Sequence, residues 1–239
     1  MKRKIFLLSL ALVCCAVSIC AKTYMVSVGV ADYPGTKNDL RLSGQDAVTM
    51  KELYEKNGNA DVVILLNENA KLEEVAMQMK IQFGKASDDD TIILFFSGHG
   101  VSGGFVCYNQ VMYFNTIYKI MASSRAKHKM VFADTCYSGK ARKAGKKQGR
   151  IKKDSEIMFF LSSRANEKSM ENEKWKNGFF TAYLERGLRG GADINFDHTI
   201  TAYELFKFVS DGVKDVSQDR QHPVMWGSFD HDMPVMTWK

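Results

Sequence analysis

Residues 91–96 read TIILFF, and every side chain after the threonine is apolar. A run this short, with no polar side, is buried on both faces, as a central strand of a parallel sheet is. Four more runs share that character: Tyr24–Val30 (YMVSVGV), Val62–Leu66, Met130–Ala133 and Ile157–Leu161. Segments of helical period lie among them. Gly44–Asn57 repeats apolar residues at Ala47, Met50, Leu53 and Tyr54, and Lys71–Phe83 does so at Leu72, Val75, Met79 and Phe83. Gly178–Arg189 and Ala202–Val213 predict two further helices. Asp32-Tyr33-Pro34-Gly35 carries turn chemistry. The alternation specifies an α/β fold, a mainly parallel sheet covered by helices on both faces.

The first 21 residues stand outside that pattern. Lys2, Arg3 and Lys4 precede an uncharged apolar stretch from Ile5 to Ile19, and the segment ends at Ala21. This is the layout of a secretory signal peptide, too short and wrongly flanked for a stable membrane span. An uncleaved anchor is the alternative. The expectation is a signal peptide over 1–21 and one domain over 22–239, secreted or periplasmic. A surface lipoprotein would use Cys20, which the bulky Ile19 before it disfavours. No stable membrane span is expected in the mature form, because no other segment approaches the necessary apolar length.

Charge is concentrated in one place. The formal net charge is +6, and the signal carries three of the positive residues. Residues 139–153 hold Lys140, Arg142, Lys143, Lys146, Lys147, Arg150, Lys152 and Lys153 with no acid, so the remaining body is near −5. The high isoelectric point therefore belongs to one flexible basic loop and does not imply a nucleic-acid-binding surface. Of the five cysteines, only Cys107 and Cys136 lie beyond the signal. An exported chain can join such a pair as a structural disulfide.

Functional groups in parallel sheets gather beyond the carboxyl ends of strands. Two strands in this chain end in reactive residues set among glycines. TIILFF runs into Ser97-Gly98-His99-Gly100, and KMVFA runs into Asp134-Thr135-Cys136-Tyr137-Ser138-Gly139. Parallel strands would bring His99 and Cys136 to the same edge. A thiolate attacks carbonyls well, and a basic neighbour raises its fraction. The adjacent glycines allow close approach of a substrate backbone. The N–H groups of Gly100 and Cys136 are candidates for an oxyanion hole. Singly, such a cysteine reads as a small buried hydrophobe and such a histidine as a satisfied polar residue. The joint pattern is much more specific.

Apolar strand, SGHG, apolar strand, DTCYSG: this sequence resembles the caspase-like cysteine peptidases, most of all bacterial metacaspases. The likeness extends over nearly all of the mature chain. YMVSVGVADYPG followed by LSGQDAVTMKELYEKNG is similar to the family's first strand and helix. FFLSSRANEKSMENEKWKNGFFTAYLERGL is similar to its later strand, acidic loop and Gly-Phe-Thr helix. The resemblance implies a single caspase-like domain with a six-stranded sheet. It implies Cys136 as nucleophile, with His99 protonating the leaving amine and assisting the deacylating water. Animal caspases proper place their nucleophile in a Gln-Ala-Cys context, which this chain lacks. Tyr137 stands where metacaspases usually carry histidine.

By the same resemblance, Asp46 and Asp134 form an acidic pocket for the residue before the scissile bond, with Ser97 on its rim. Ionised carboxylates there would pair with Arg or Lys and repel Asp. Read without the family, Asp46 is a charge at a helix N-terminus and Asp134 a turn former at a strand end. The expected partner is a peptide or protein with a basic residue before the cleaved bond, bound by a monomer. The basic loop fits that specificity and is either a self-processing segment or a solvated loop.

Residues 193–204 follow the spacing of an EF-hand loop, with Asp193, Asn195, Asp197, Thr199 and Glu204 as ligands for a possible calcium ion. His198 stands where that loop normally needs glycine. No cofactor is required by the chemistry. Cys107 reads as an inert buried thiol or as a reversible disulfide partner of Cys136. Three functional readings remain: an Arg/Lys-directed endopeptidase, a peptidase or transpeptidase of other specificity, and a non-catalytic module on the same fold. Relatives of the last kind typically lack the histidine or the cysteine, and this chain has both. A metal hydrolase is disfavoured, because His99 belongs to no cluster with metal-ligand spacing.

Overall fold

The computed structural model describes residues 21–56, 59–136, 156–164, 166–167, 169–171 and 175–238. The expected signal and basic loop lie outside them, apart from Ala21. All five apolar runs are strands: β1 (Thr23–Gly29), β2 (Ala60–Leu66), β3 (Thr91–Gly98), β7 (His128–Thr135) and β8 (Ile157–Leu161). A small three-stranded sheet, β4 (Gly100–Val101), β5 (Gly104–Val106) and β6 (Val111–Tyr113), follows β3. Beyond β8 come β9 (Thr199–Thr201), β10 (Val224–Ser228) and β11 (Pro234–Thr237). The central sheet has six strands in the order β10-β8-β7-β3-β1-β2. Its five apolar members run parallel, and β10 joins β8 antiparallel at the edge.

Alternation along β3 explains why helices cover both faces. Ile92, Leu94 and Phe96 point to one side, where they meet Val75, Met79 and Phe83 of α2 (Leu72–Gly84) and Ile117 and Met121 of α3 (Phe114–Ala122). Ile93 and Phe95 point to the other, with Met130, Phe132, Met158 and Phe160. There they meet α1 (Ser43–Lys56), α4 (Phe179–Arg186) and α5 (Ala202–Val216) through Met50, Leu53, Phe180, Leu184, Leu205 and Val209. Each fully buried side chain of this size contributes about 1.5–3 kcal/mol. A strand packed on both sides has no room for a polar residue, and that is why these runs are continuous.

Three sequence expectations are corrected. The sequence also predicts Cys107 in a β-hairpin with Val111–Phe114, whereas Phe114 begins α3. Cys107 lies just past β5, its N–H bonded to Gln110 O at 2.9 Å. The helix expected to Arg189 stops at Arg186 and passes into a π-helical turn, Gly187–Gly191, in which Gly190 takes φ 108°.

The sheet's order places the reactive edge. The chain leaves β1 toward β2 on one side and returns through β3 to build outward on the other. Beyond the carboxyl ends of β1 and β3 the connections diverge and leave a crevice, where open α/β sheets bind ligands.

Candidate active site

Register assembles the site. β3 and β7 are aligned so that Ser97 faces Asp134 and Gly98 faces Thr135. His99 and Cys136 each follow directly after the last pair of that ladder. Contact at this edge is tight: a Cβ added to Gly100 would stand 2.2 Å from Cys136 O and 2.9 Å from Thr135 Oγ1. Only glycine fits there.

His99 is held by three contacts. Its Nε2 lies 2.7 Å from Asn38 O. A carbonyl only accepts, so Nε2 carries the hydrogen and Nδ1 is the nitrogen left to exchange a proton. Its backbone N–H donates to Tyr33 Oη at 2.8 Å, and Tyr33 Oη donates to Val106 O at 2.9 Å. The Tyr33 ring also packs against the imidazole, centroids 4.8 Å apart. Burial pushes the Tyr33 phenol up, so it stays neutral and able to donate. Val106 N–H donates to His99 O at 2.9 Å, which makes Gly100 and Phe105 a non-hydrogen-bonded pair. The ladder therefore does not use Gly100 N–H, in keeping with its expected place in an oxyanion hole.

Cys136 is partly exposed and carries a thiol rather than a disulfide, as does Cys107. Cys107 is fully buried, and burial pushes its thiol up to about 12. It belongs to the hydrophobic core, which favours the inert reading over a redox one. Ser162 Oγ accepts from Thr135 N at 3.0 Å and donates to Thr135 O at 2.9 Å. The end of β8 thereby fixes the backbone that presents Cys136.

Beneath this pair lies a buried acidic chamber. The file Ile93, Phe95, Ser97 and the file Met130, Phe132, Asp134 both turn polar at their last position, on the face that α1 covers. Asp46, in the first turn of α1, completes the group. Its Oδ2 accepts from Ser97 Oγ at 2.8 Å, and its Oδ1 accepts from Asn177 Nδ2 at 2.9 Å and Gly178 N at 3.1 Å. Asp134 Oδ2 accepts from Thr181 N at 3.1 Å and Thr181 Oγ1 at 2.9 Å, and its Oδ1 accepts from Ser169 Oγ. Gly178 is required for closeness, since a Cβ there would meet Asp134 Oδ2 at 2.6 Å. Asp46 and Asp134 are only 1% and 6% exposed. Burial, then the Asp134 charge, pushes Asp46 well above the usual carboxylate range, and burial also raises Asp134.

The expected calcium ligands are placed differently. Asp193 accepts from Asp197 N at 3.2 Å and His198 N at 3.1 Å, and Asn195 Nδ2 donates to Asp197 Oδ2 at 2.9 Å. Asp197 Oδ1 accepts from Thr199 N at 2.8 Å. Glu204 turns back as a capping box onto Thr201, accepting from its N–H at 2.9 Å and its hydroxyl at 2.8 Å. These side chains hold a turn and cap α5. They do not converge as a calcium donor set, and among the described residues no three Asp, Glu, His or Cys side chains cluster to hold a metal.

Sequence reasoning missed Tyr33, Asn38, Ser169, Asn177 and Thr181. Tyr33 had a signal, its place in the turn after the first strand. Asn38 acts through its main chain and had none. Tyr33→Phe is expected to lower kcat about tenfold with KM unchanged, because the hydroxyl's bonds to His99 N–H and Val106 O are lost and the ring contact is kept. Steady-state kinetics with a peptide substrate measures this.

Cys136 and His99 follow neighbouring strands of the central sheet, beside the buried Asp46 and Asp134. The family model described as "Caspase domain" matches residues 23–233, and the chain belongs to that family. Three solved structures share its fold. Protein GSU0716 from Geobacter sulfurreducens aligns with TM-score 0.70 and 15% identity over 91% of this chain and 100% of that one. Caspase-1 from Spodoptera frugiperda aligns with TM-score 0.67 and 12% identity over 92% and 91%. Pro-sf-caspase-1 aligns with TM-score 0.65 and 13% identity over 90% and 94%. No curated protein matches in sequence.

Proposed function

We propose that this protein is a secreted or periplasmic cysteine endopeptidase that hydrolyses peptide bonds after Arg or Lys. The observation that supports it is the register of β3 and β7, which ends one residue before His99 and Cys136 and sets Ser97 opposite the buried Asp134. A carboxylate oxygen has two acceptor sites. Ser97 Oγ fills one on Asp46 Oδ2, and Ser169 Oγ fills one on Asp134 Oδ1. A basic side chain entering the chamber can therefore donate to both acids, and that places the following carbonyl at Cys136.

The chemistry then follows from the groups present. His99 Nδ1 takes the Cys136 thiol proton, and the thiolate Sγ adds to the carbonyl carbon. The developing oxyanion takes the N–H groups of Gly100 and Cys136. His99 gives the Nδ1 proton to the departing amine, which leaves a thioester. Water, deprotonated by His99, attacks the thioester and frees the carboxylic acid and the thiol. Asn38 O holds the imidazole in the required tautomer throughout. The basic loop supplies eight side chains of the preferred kind just beyond the nucleophile, which makes it the natural self-processing segment.

Matched fluorogenic peptides ending in Arg, Lys or Asp test the reading. Arg and Lys peptides should be cut, and the Asp peptide should be cut at least about a thousandfold more slowly, as expected where a substrate charge opposes a buried like charge. Preferential cleavage after Asp would overturn the specificity. Absence of any cleavage, with Cys136 unreactive toward an alkylating agent, would favour a binding module.

A further inference from the structure

The segment from Ser162 to Met170 carries Ser169 to Asp134, and two consecutive residues beyond α5 fasten it. Gln221 Nε2 donates to Ser162 O at 2.9 Å and to Ser169 Oγ at 3.4 Å, and Gln221 Oε1 accepts from Met170 N at 2.8 Å. His222 adds an ionic clamp. Its Nδ1 is 2.9 Å from Glu167 Oε1, its Nε2 is 3.0 Å from Asp219 Oδ1, and its N–H donates to Glu167 Oε2 at 2.9 Å. His222 is 9% exposed. Ionised carboxylates only accept, and imidazolium, with two N–H groups, is the form that can donate to both.

We propose that His222 is a positioning residue for the basic-side-chain pocket, acting in its cationic form through Glu167 on the segment that aims Ser169 at Asp134. This rests on the Arg/Lys-peptidase reading above and adds a control on it. Gln218 and Asp219 both take left-handed backbone angles, φ 54° and 59°, a conformation that non-glycine residues adopt only when their surroundings hold it. The Asp219–His222 contact is one such hold. Among the described residues, the other charged groups around the imidazole are Arg164, 3.7 Å from Glu167, and Lys207, Asp211 and Lys214 of α5, along the groove that His222 lines. A neutral imidazole has one N–H and can donate to only one of the two carboxylates. The segment is then held by Gln221 and the His222 N–H with one side-chain contact fewer, and Ser169 is aimed less firmly at Asp134. The effect belongs in KM.

The test is KM and kcat for an Arg peptide between about pH 5 and 9, the range in which histidine charge changes. His222→Gln is expected to raise KM about tenfold with kcat within about twofold, the scale of one charge-assisted hydrogen bond. It should also remove a pH-dependent rise in KM that the wild type shows. Adding Glu167→Gln to His222→Gln should cost nothing further. Unchanged KM, an equal loss carried entirely by kcat, or an identical KM–pH profile in wild type and variant would overturn the proposal. If His222→Gln does not fold, Asp219→Asn tests the same clamp, since that carboxylate is largely exposed. If the wild type cuts no basic peptide, the functional reading fails by itself. The clamp is then judged in Cys136→Ala protein by nitrogen NMR: two protonated ring nitrogens on His222, titrating together with the Met170 amide, support it, and a singly protonated ring sinks it.

Discussion

Cys136→Ala is expected to lower kcat on an Arg peptide by about a millionfold while leaving the affinity for that peptide nearly unchanged. Loss of this size follows because no other group can replace the nucleophile. Cys107 is buried in the hydrophobic core, with its thiol pushed up to about 12 by burial. The backbone should be undisturbed, since Ser162 holds Thr135 on both its N–H and C=O. Binding should persist because the Asp46–Asp134 chamber contains no part of the cysteine. The same variant should show an intact basic loop on intact-mass measurement, while wild-type protein yields fragments ending at Lys or Arg within 140–153. Turnover within an order of magnitude of wild type, or equal fragmentation in both proteins, would remove Cys136 from the mechanism.

Asp46→Asn should produce two effects of opposite sign. Toward Arg and Lys peptides, kcat/KM should fall by about three orders of magnitude, because breaking one partner of a buried charge pair costs about 3–5 kcal/mol. Stability at neutral pH should rise. Burial and the Asp134 charge raise the folded-state Asp46 above its ordinary value of 3.8. The folded protein therefore holds this proton more tightly than the unfolded chain does. The stability it confers is complete below the unfolded value and is lost as pH rises through the folded one. Asparagine keeps an acceptor for Asn177 and Gly178 and turns a donor toward Ser97, with no charge to bury. Thermal melts should thus show the variant above wild type at pH near 7 and the two converging in acid. A guanidinium ligand such as agmatine should raise the melting temperature of wild type and leave the variant unmoved. A variant less stable at neutral pH, with Arg cleavage intact, would show that Asp46 is a helix-end charge and nothing more.

The legible and illegible parts of the chain separate along a physical line. β8 begins and ends where its apolar run does, β1 is displaced by one residue, and the other three extend theirs by a few residues at most. Burial on both faces leaves an unbroken record in composition. The nine residues of α3 were missed although Phe114, Ile117, Ile120 and Met121 keep a helical spacing, because the piece is short and begins directly after a strand. β10 was missed because it is a five-residue edge strand with Gly227 inside it, at φ 137°. Edge strands need less apolar surface and leave a weaker trace. The residues with calcium-loop spacing also bond the backbone of a turn and a helix cap, contacts that spacing alone does not announce.

The amino-acid order alone determined the fold class, the two strand tips that carry sulfur and imidazole, and the two acids that the family likeness singles out. These are local properties, since burial pattern and residue type are written along one segment at a time. Only the tertiary structure decided that Ser97 faces Asp134, that Asn38 O sets the His99 tautomer, and that Gln221 and His222 reach back to the segment beside the chamber. Pairing register and main-chain contacts depend on which distant segments become neighbours. A backbone carbonyl has the same chemistry at every residue, so nothing in the sequence marks the one that matters.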